Sequence, residues 1–156
     1  NLPLRMIIVG AVHISQALVG IAKSAGFEVS VIDPRGSFAT KTRFPDVTLI
    51  DEWPDDAVKT LKPDNRTALV TLTHDPKLDD PALEAALVSD CFYIGSLGSK
   101  KTHSARVERL LSNGFTDKQI NRIHAPIGLD IGAKSPSEIA VSILAEVISA
   151  KYNKVL

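Results

Sequence analysis

Cysteine and net charge are both scarce in this sequence. Cys91 is its only cysteine, which excludes an intramolecular disulfide framework and argues against a cysteine-rich zinc site. The 18 basic and 18 acidic side chains cancel at neutral pH. Because dedicated nucleic-acid binders usually carry a basic excess, we expect no nucleic-acid partner.

Long hydrophobic runs are also missing. The longest, such as residues 6–12, fall far short of the ~20 residues that span a bilayer, and no basic-then-apolar leader opens the chain. We therefore expect a soluble, cytoplasmic protein without a membrane partner. The 156 residues, of which 44% are hydrophobic, are enough for one domain that buries its own core.

Strand and helix patterns alternate along the chain. The apolar run Met6–Val9 ends at Gly10, a helical stripe follows from Ile14 to Ala25, and residues 27–32 alternate as a strand does, which together indicate a βαβ unit. Further strands are predicted over 47–50, 68–72, 91–94 and within 120–124, with helices over 81–88, 99–111 and after a capping box at 135–138. The predicted fold is α/β: one Rossmann-like domain over 1–156, with a doubly wound, mostly parallel sheet and helices on both faces.

The turn after the first predicted strand is a candidate phosphate site. Gly10 opens it, and a helix N-terminus offers free amides to an anion. Val12 and Ser15 stand where a dinucleotide fingerprint has its second and third glycines, so an ordinary turn is the alternative. Asp33 ends the predicted second strand. Its distance along the chain from Gly10 is close to that of the acid that binds a ribose hydroxyl in dinucleotide-binding proteins, and an ordinary turn is the alternative. Arg35 could hold a phosphate.

A second candidate is the segment 93–103, which carries Gly95, Gly98, Ser99, Lys100 and Lys101. Cations at a helix N-terminus oppose the helix dipole, so an anion such as a phosphate or pterin phosphate would stabilise them there. The alternative is a solvated face. Residues 97–122 hold six basic and two acidic side chains, and a basic patch limited to this region suits a small anionic ligand.

Three other positions carry alternatives. Asp130 lies in the glycine-containing segment 126–133, where it could contact a ligand or cap neighbouring amides. His74 lies just after the predicted fourth strand, where it could act as a hydrogen-bonding or acid–base group. The alternative is an ordinary turn residue. Glu138 is explained as the capping-box acid and Cys91 as a core residue. We find no zinc-protease spacing, Walker A loop or G-x-S-x-G elbow.

Several segments, taken in order along the chain, carry a family resemblance: 10–13, 31–35, Phe38–Thr40 with 43–45, 93–95 with 98–99, Pro126–Ala133, 138–140 and 142–146. Together they resemble the C-terminal Rossmann domain of the XdhC/CoxI family, the accessory proteins of xanthine and carbon monoxide dehydrogenases. Val12 and Ser15 depart from that family's loop Gly-Ala-Gly-His-x-Gly.

The resemblance implies a maturation role. Family members bind molybdenum cofactor, protect it, support its sulfuration and pass it to a molybdenum hydroxylase, and their full-length forms carry an N-terminal domain to which nothing in these 156 residues corresponds. It implies the hydroxylase apoenzyme and a cysteine desulfurase as partners, and we also expect a homodimer. No catalytic or metal-binding residue is predicted. The predicted cofactor-binding residues are Gly10, Val12, His13, Asp33, Arg35, His74, Gly95, Gly98, Ser99, Lys100, Lys101 and Asp130.

Two other functions stay open from the sequence. One is an NAD(P)-dependent oxidoreductase, favoured by Asp33 and the βαβ opening, although 156 residues leave little room for a substrate domain. The other is a non-catalytic protein-interaction module.

Overall fold

Six parallel strands form one sheet in the order β3-β2-β1-β4-β5-β6. A computed structural model describes residues 2–36 and 40–153. Phe38 and Ala39, which belong to the family-like segments, lie outside the described residues. The strands are β1 (Arg5–Val9), β2 (Glu28–Ile32), β3 (Thr48–Ile50), β4 (Thr67–Thr71), β5 (Tyr93–Ser96) and β6 (Ile123–His124). The helices are α1 (His13–Ser24), α2 (Pro54–Leu61), α3 (Pro76–Leu87), α4 (Lys100–Ser112), α5 (Asp117–Ile120) and α6 (Pro136–Lys151).

Helices cover both faces of this sheet. Helices α1 and α6 pack together on one face, where Leu18 and Ile143 join Ile8 and Val70 of the central strands in one apolar cluster. Helices α2 to α5 supply the cluster on the other face. Because β1 and β4 are buried from both sides, their sequences are almost continuously apolar. The predicted doubly wound Rossmann-like fold is confirmed, and the strand order is that of the dinucleotide-binding fold.

The start of α6 and the burial of Cys91 agree with the sequence prediction. The Ser135 hydroxyl accepts a hydrogen bond from the Glu138 amide at 3.1 Å, and the Glu138 carboxylate accepts from the amides of Ser135 and Lys134, both at 2.9 Å. This is the capping box predicted for α6. Cys91 is buried at 6% exposure, which confirms it as a core residue.

Most predicted boundaries differ from the observed ones by at most one residue, and the larger differences concern α3, β5 and two helices that the sequence did not indicate. Helix α3 begins at Pro76, because Asp75 caps it through the Lys77 amide, and Pro81 lies inside the helix rather than at its start. Helices α2 and α5 were not predicted. Strand β5 begins at Tyr93 and extends to Ser96, so Gly95 belongs to the strand and not to the turn after it.

Among residues 2–36 and 40–153, no helix combines the length and hydropathy needed to cross a membrane.

Candidate functional site

The carboxyl ends of all six parallel strands meet at one edge of the sheet. The strand order reverses between β1 and β4, and ligands of open α/β sheets bind at such a switch point. The turns after these two strands touch each other. Gly10 has φ +115°, and a Cβ at this position would lie 2.9 Å from Cγ2 of Thr73. Gly10 is therefore required both for the backbone conformation and for the close approach of the two turns.

The turn after β1 is filled by a side chain of its own. The buried Ser15 hydroxyl hydrogen-bonds the Gly10 carbonyl and accepts from the Val12 amide at 3.3 Å. A third glycine in a dinucleotide fingerprint leaves this space empty, and a second one gives the pyrophosphate access to the backbone. Here Ser15 occupies the space and engages an amide that a phosphate would need. His13 is exposed at the first turn of α1.

Asp33 is fully buried at the end of β2. One carboxylate oxygen accepts from the Ala11 amide at 2.9 Å and from Nη2 of Arg35 at 2.8 Å. The other accepts from the Arg35 amide and from Arg35 Nε, both at 2.9 Å. Although burial opposes the charge, the Arg35 side chain and these amides hold the pKa of Asp33 below its usual value.

All four acceptor positions of the Asp33 carboxylate are thus taken by the protein itself. Asp33 shapes the turn after β1 and orients Arg35, and it has no lone pair left for a ribose diol. The arrangement counts against the alternative of an NAD(P)-dependent enzyme, as do Val12 and Ser15.

A carboxylate that the sequence did not single out organises the turn after β4. Asp79, on the first turn of α3 and 1% exposed, accepts from the Thr73 hydroxyl at 2.6 Å, the Thr73 amide at 3.4 Å and the His74 amide at 3.1 Å. His74 is exposed and adopts φ +66°, a conformation rarely taken by non-glycine residues. Burial raises the pKa of Asp79 to about 6, although the hydrogen bonds from this turn and the charge of Arg106 oppose the rise.

The turn after β5 leads into α4 through Gly98 and Ser99. Gly98 has φ +141°, and a Cβ there would lie 3.0 Å from Cγ2 of Thr102. The Ser99 hydroxyl caps the helix by accepting from the Thr102 amide at 3.1 Å. Lys100 and Lys101 are exposed in the first turn, which contains no acid. Among the described residues, neither lysine side chain has a hydrogen-bond or ion-pair partner.

The basic patch predicted over 97–122 is smaller than its sequence indicates. Arg109 pairs with Asp80, with Nε 2.6 Å from the carboxylate. Arg122 donates to the carbonyls of Leu87 and Cys91, both at 3.0 Å. Arg106 is 2% exposed. These three arginines bind their own protein, because tertiary contacts supply acceptors that a count of charges along the chain does not reveal.

Arg106 lies beneath the turn after β5. One guanidinium nitrogen donates to the Leu97 carbonyl at 3.3 Å, and another lies 3.1 Å from Nδ1 of His103. Among residues 2–36 and 40–153, its buried Nε has no hydrogen-bond partner, and the nearest acid oxygen is that of Asp80 at 4.0 Å. Burial, and then the charge of Arg106, lower the pKa of His103.

The glycine-containing segment 126–133 packs against α6. Gly128 has φ +92° and lies directly on Ser142, so a Cβ would collide with the serine hydroxyl. Its amide donates to Glu146 at 3.0 Å, and the Tyr93 hydroxyl donates to the same carboxylate oxygen at 2.5 Å. Gly95 has no room for a side chain, because a Cβ would lie 2.6 Å from the Tyr93 hydroxyl. Gly95 therefore lets segment 126–133 pack closely against β5.

Segment 126–133 and α4 enclose a cleft of about 500 Å³ at the carboxyl edge of the sheet. Leu97 and Lys100 form one side, and residues 126–133, Ile139 and Ser142 form the other. Of the twelve predicted residues, all within the described part of the chain, Lys100 and Asp130 line this cleft. The others are placed at the strand ends and turns described above.

Another cleft, of about 390 Å³, lies at the amino ends of β1 and β2. Ligands of parallel sheets bind outside the carboxyl ends, so we take the cleft at Lys100 and Asp130 as the candidate site. Within residues 2–36 and 40–153, no cluster of three His, Cys, Asp or Glu side chains could hold a metal ion.

Comparison with known proteins identifies the fold family. Residues 6–147 match the XdhC Rossmann domain. The molybdenum cofactor insertion chaperone PaoD of Escherichia coli is 29% identical over 96% of this chain and 41% of its own length. A Bacillus subtilis protein named as a probable subunit of xanthine dehydrogenase is 33% identical over 94% of this chain and 43% of its own.

A crystal structure described as a xanthine dehydrogenase from Bacillus halodurans superposes with a TM-score of 0.83 at 32% identity, covering 98% of this chain and 44% of the other. The present chain thus spans less than half the length of these relatives. The match over residues 6–147 shows that the chain belongs to the XdhC family and forms its Rossmann domain.

Proposed function

We propose that this domain is part of a maturation factor for molybdenum hydroxylases. It binds molybdenum cofactor, an anionic pterin phosphate, in the cleft between α4 and segment 126–133. The names of two relatives, a molybdenum cofactor insertion chaperone and a xanthine dehydrogenase subunit, support this role. Binding and hand-over are proposed, and no bond-making step is assigned to this domain.

The observation that carries the proposal is the pair of lysines at the start of α4. Lys100 and Lys101 are exposed beside a helix N-terminus that has no acid in its first turn. Both lysines carry a positive charge beside the positive end of the dipole of α4. Their mutual repulsion is relieved when an anion binds. A phosphate monoester has the charge and the acceptor oxygens for this position.

The rest of the cleft fits a flat heterocycle. Apolar groups of Leu97 and Ile139 line it together with the backbone of segment 126–133. Asp130 is exposed at its rim and could accept hydrogen bonds from the amino and ring N–H groups of a pterin. When bound, the cofactor supplies the molybdenum chemistry, whereas the residues of this chain hold and shield it.

Titration of the protein with molybdenum cofactor, followed by pterin fluorescence under anaerobic conditions, tests the proposal. We expect saturable binding that weakens at high salt and falls about tenfold in K100A, because Lys100 lines the cleft and charge-assisted hydrogen bonds contribute about 1.5–3 kcal/mol. Binding should fall further in the K100A/K101A double variant. K118A is the matched control, since Lys118 is an exposed lysine of α5 outside the cleft.

Three outcomes count against the proposal. If neither the cofactor nor nicotinamide nucleotides bind, the domain has no such function. If the double variant binds as tightly as the wild type, the site is not at α4. If NADH binds tightly and the cofactor does not, the NAD(P)-dependent alternative replaces the proposal despite the filled turn after β1.

The partners belong to the same proposal. A cofactor carrier must meet a donor and an acceptor, so we propose docking to a molybdenum hydroxylase apoenzyme and to a cysteine desulfurase, with the protein acting as a cytoplasmic homodimer. Light scattering measures the oligomeric state, and co-purification with each partner tests the docking. A monomer that retains neither partner would contradict this part of the proposal.

A further inference from the structure

The turn after β4 is held by one buried carboxylate. Asp79 receives three hydrogen bonds from two consecutive residues, Thr73 and His74, at 2.6–3.4 Å. Thr73 in turn touches Gly10 across the switch point, and the Thr73 hydroxyl accepts from the Asp75 amide at 3.0 Å. The position of this side of the crevice therefore depends on the acceptors of a single side chain.

Charged groups surround Asp79 from three parts of the chain. From α4, the buried Arg106 faces it, and the same guanidinium supports the Leu97 carbonyl at the rim of the cleft. Arg35, in the segment after β2, interacts electrostatically with Asp79. The charged or titratable groups facing this region are Asp75, which caps α3, Asp80 on α3, Arg106, His103 and Arg109 on α4, and Arg35 after β2.

We propose that Asp79 is a positioning residue: its ionised carboxylate holds the turn after β4 against the turn after β1, and neutralising it releases that turn. The inference rests on the proposed function only where it concerns ligand binding. Asp79 is 1% exposed, so it touches neither solvent nor a ligand in the cleft and acts through Thr73 and His74.

The three donors of the turn are matched best by the ionised carboxylate, even though burial by itself favours the neutral form. An ionised carboxylate only accepts hydrogen bonds, so it can satisfy all three donors of the turn at once. A protonated acid or an asparagine brings a donor of its own into the same space. One backbone amide then loses its acceptor, and the positive φ of His74 loses the contact that compensates for its strain.

The buried Arg106 extends the consequence to the neighbouring turn. Its buried Nε lies 4.0 Å from Asp80 and has no hydrogen-bond partner in the described part of the chain, and its other nitrogens reach Leu97 and His103. When Asp79 is neutral, this guanidinium loses a neighbouring negative charge. Because Leu97 lines the candidate cleft, the cofactor is expected to bind more weakly in the same pH range.

Amide hydrogen exchange of the full chain, resolved by NMR and corrected for intrinsic rates, tests the positioning directly. In the wild type we expect the protection of the His74 amide to fall at least tenfold between pH 7.5 and pH 5, because Asp79 has a pKa of about 6. In D79N the protection should be low at both pH values. E84Q is the matched control, since Glu84 is an acid of the same helix that contacts Asn113 instead of the turn.

Protection in the wild type that does not change with pH overturns the proposal, as does full protection in D79N. Cofactor titration at the same two pH values separates this result from the proposed function. If the amide responds and no cofactor binds at either pH, the positioning role stands and the proposed function fails. If cofactor binds and the amide does not respond, the proposed function stands and the positioning role fails.

Discussion

Replacing Asp79 by asparagine should change how stability depends on pH. The folded protein raises the pKa of this buried carboxyl from 3.8 to about 6, with burial as the main cause. A raised pKa means that the folded state binds the proton more tightly than the unfolded state. The resulting stabilisation is complete below pH 3.8 and is lost as the pH rises through about 6.

The size of the effect follows from the shift. A difference between 3.8 and about 6 corresponds to about 3 kcal/mol at full protonation, of which about 2 kcal/mol is present at pH 4.5. Asparagine does not titrate, so it removes this dependence. We expect the wild type to gain about 2 kcal/mol relative to D79N when the pH falls from 7.5 to 4.5.

Urea denaturation at several pH values measures this difference, provided that the slope of unfolding free energy against urea is the same for both proteins. Comparing the two proteins at each pH cancels the contributions of the other carboxyl groups. E84Q is again the matched control, because it removes an acid of the same helix that does not contact the turn after β4. A free-energy difference between D79N and the wild type that stays constant within about 0.5 kcal/mol would refute the reasoning.

Two further predictions concern segment 126–133. G128A should destabilise the protein by about 2 kcal/mol or more, because φ is +92° and Ser142 occupies the space of the new Cβ. G132A should cost only about 1 kcal/mol, because φ is also positive but an added Cβ would meet no atom of the described residues within 4 Å apart from its chain neighbours; equal shifts of Tm would contradict this. Y93F should cost about 1–2 kcal/mol at pH 7, because the Tyr93 hydroxyl donates to Glu146. Burial opposes ionisation of Glu146, but the His124 ring 3.7 Å away and hydrogen bonds from Tyr93 and the Gly128 amide lower its pKa from 4.5. Their stabilisation is therefore present above pH 4.5 and lost as the pH falls through the lower folded-state pKa. The difference between Y93F and the wild type in urea denaturation should therefore shrink as the pH falls further below 4.5, and a difference that grows there would contradict the assignment.

The sequence was sufficient for the fold because the relevant signals are local. Short apolar runs ending at glycine, a helical stripe over residues 14–25 and the capping box at Ser135 each reflect chemistry within a few residues. The strand-helix alternation then limits the topology, since parallel strands need right-handed crossovers. Helix α2 went unpredicted because its apolar stripe is only two turns long, and α3 was shortened because Pro81 resembled a helix start.

The residues that organise the candidate site were harder to foresee. Asp79 and Glu146 gave no sequence signal beyond an acid in a helix, because their partners come from the preceding turn and from β5 and segment 126–133. Asp33 occurred at the offset of a ribose-binding acid, but Arg35 and Ala11 occupy its oxygens. Hydrogen-bond saturation depends on where side chains meet in space, which spacing along the chain does not encode.

The sequence by itself determined the α/β class, the edge of the sheet where the turns gather, the cap of α6 and the family to which the chain belongs. Only the tertiary structure decided which charges are free to meet a ligand. Three arginines of residues 97–122 bind carbonyls or acids of their own protein, whereas Lys100 and Lys101 remain exposed at the start of α4. The physical reason is that burial and hydrogen-bond partners, not the number of charges, set the electrostatic character of a site.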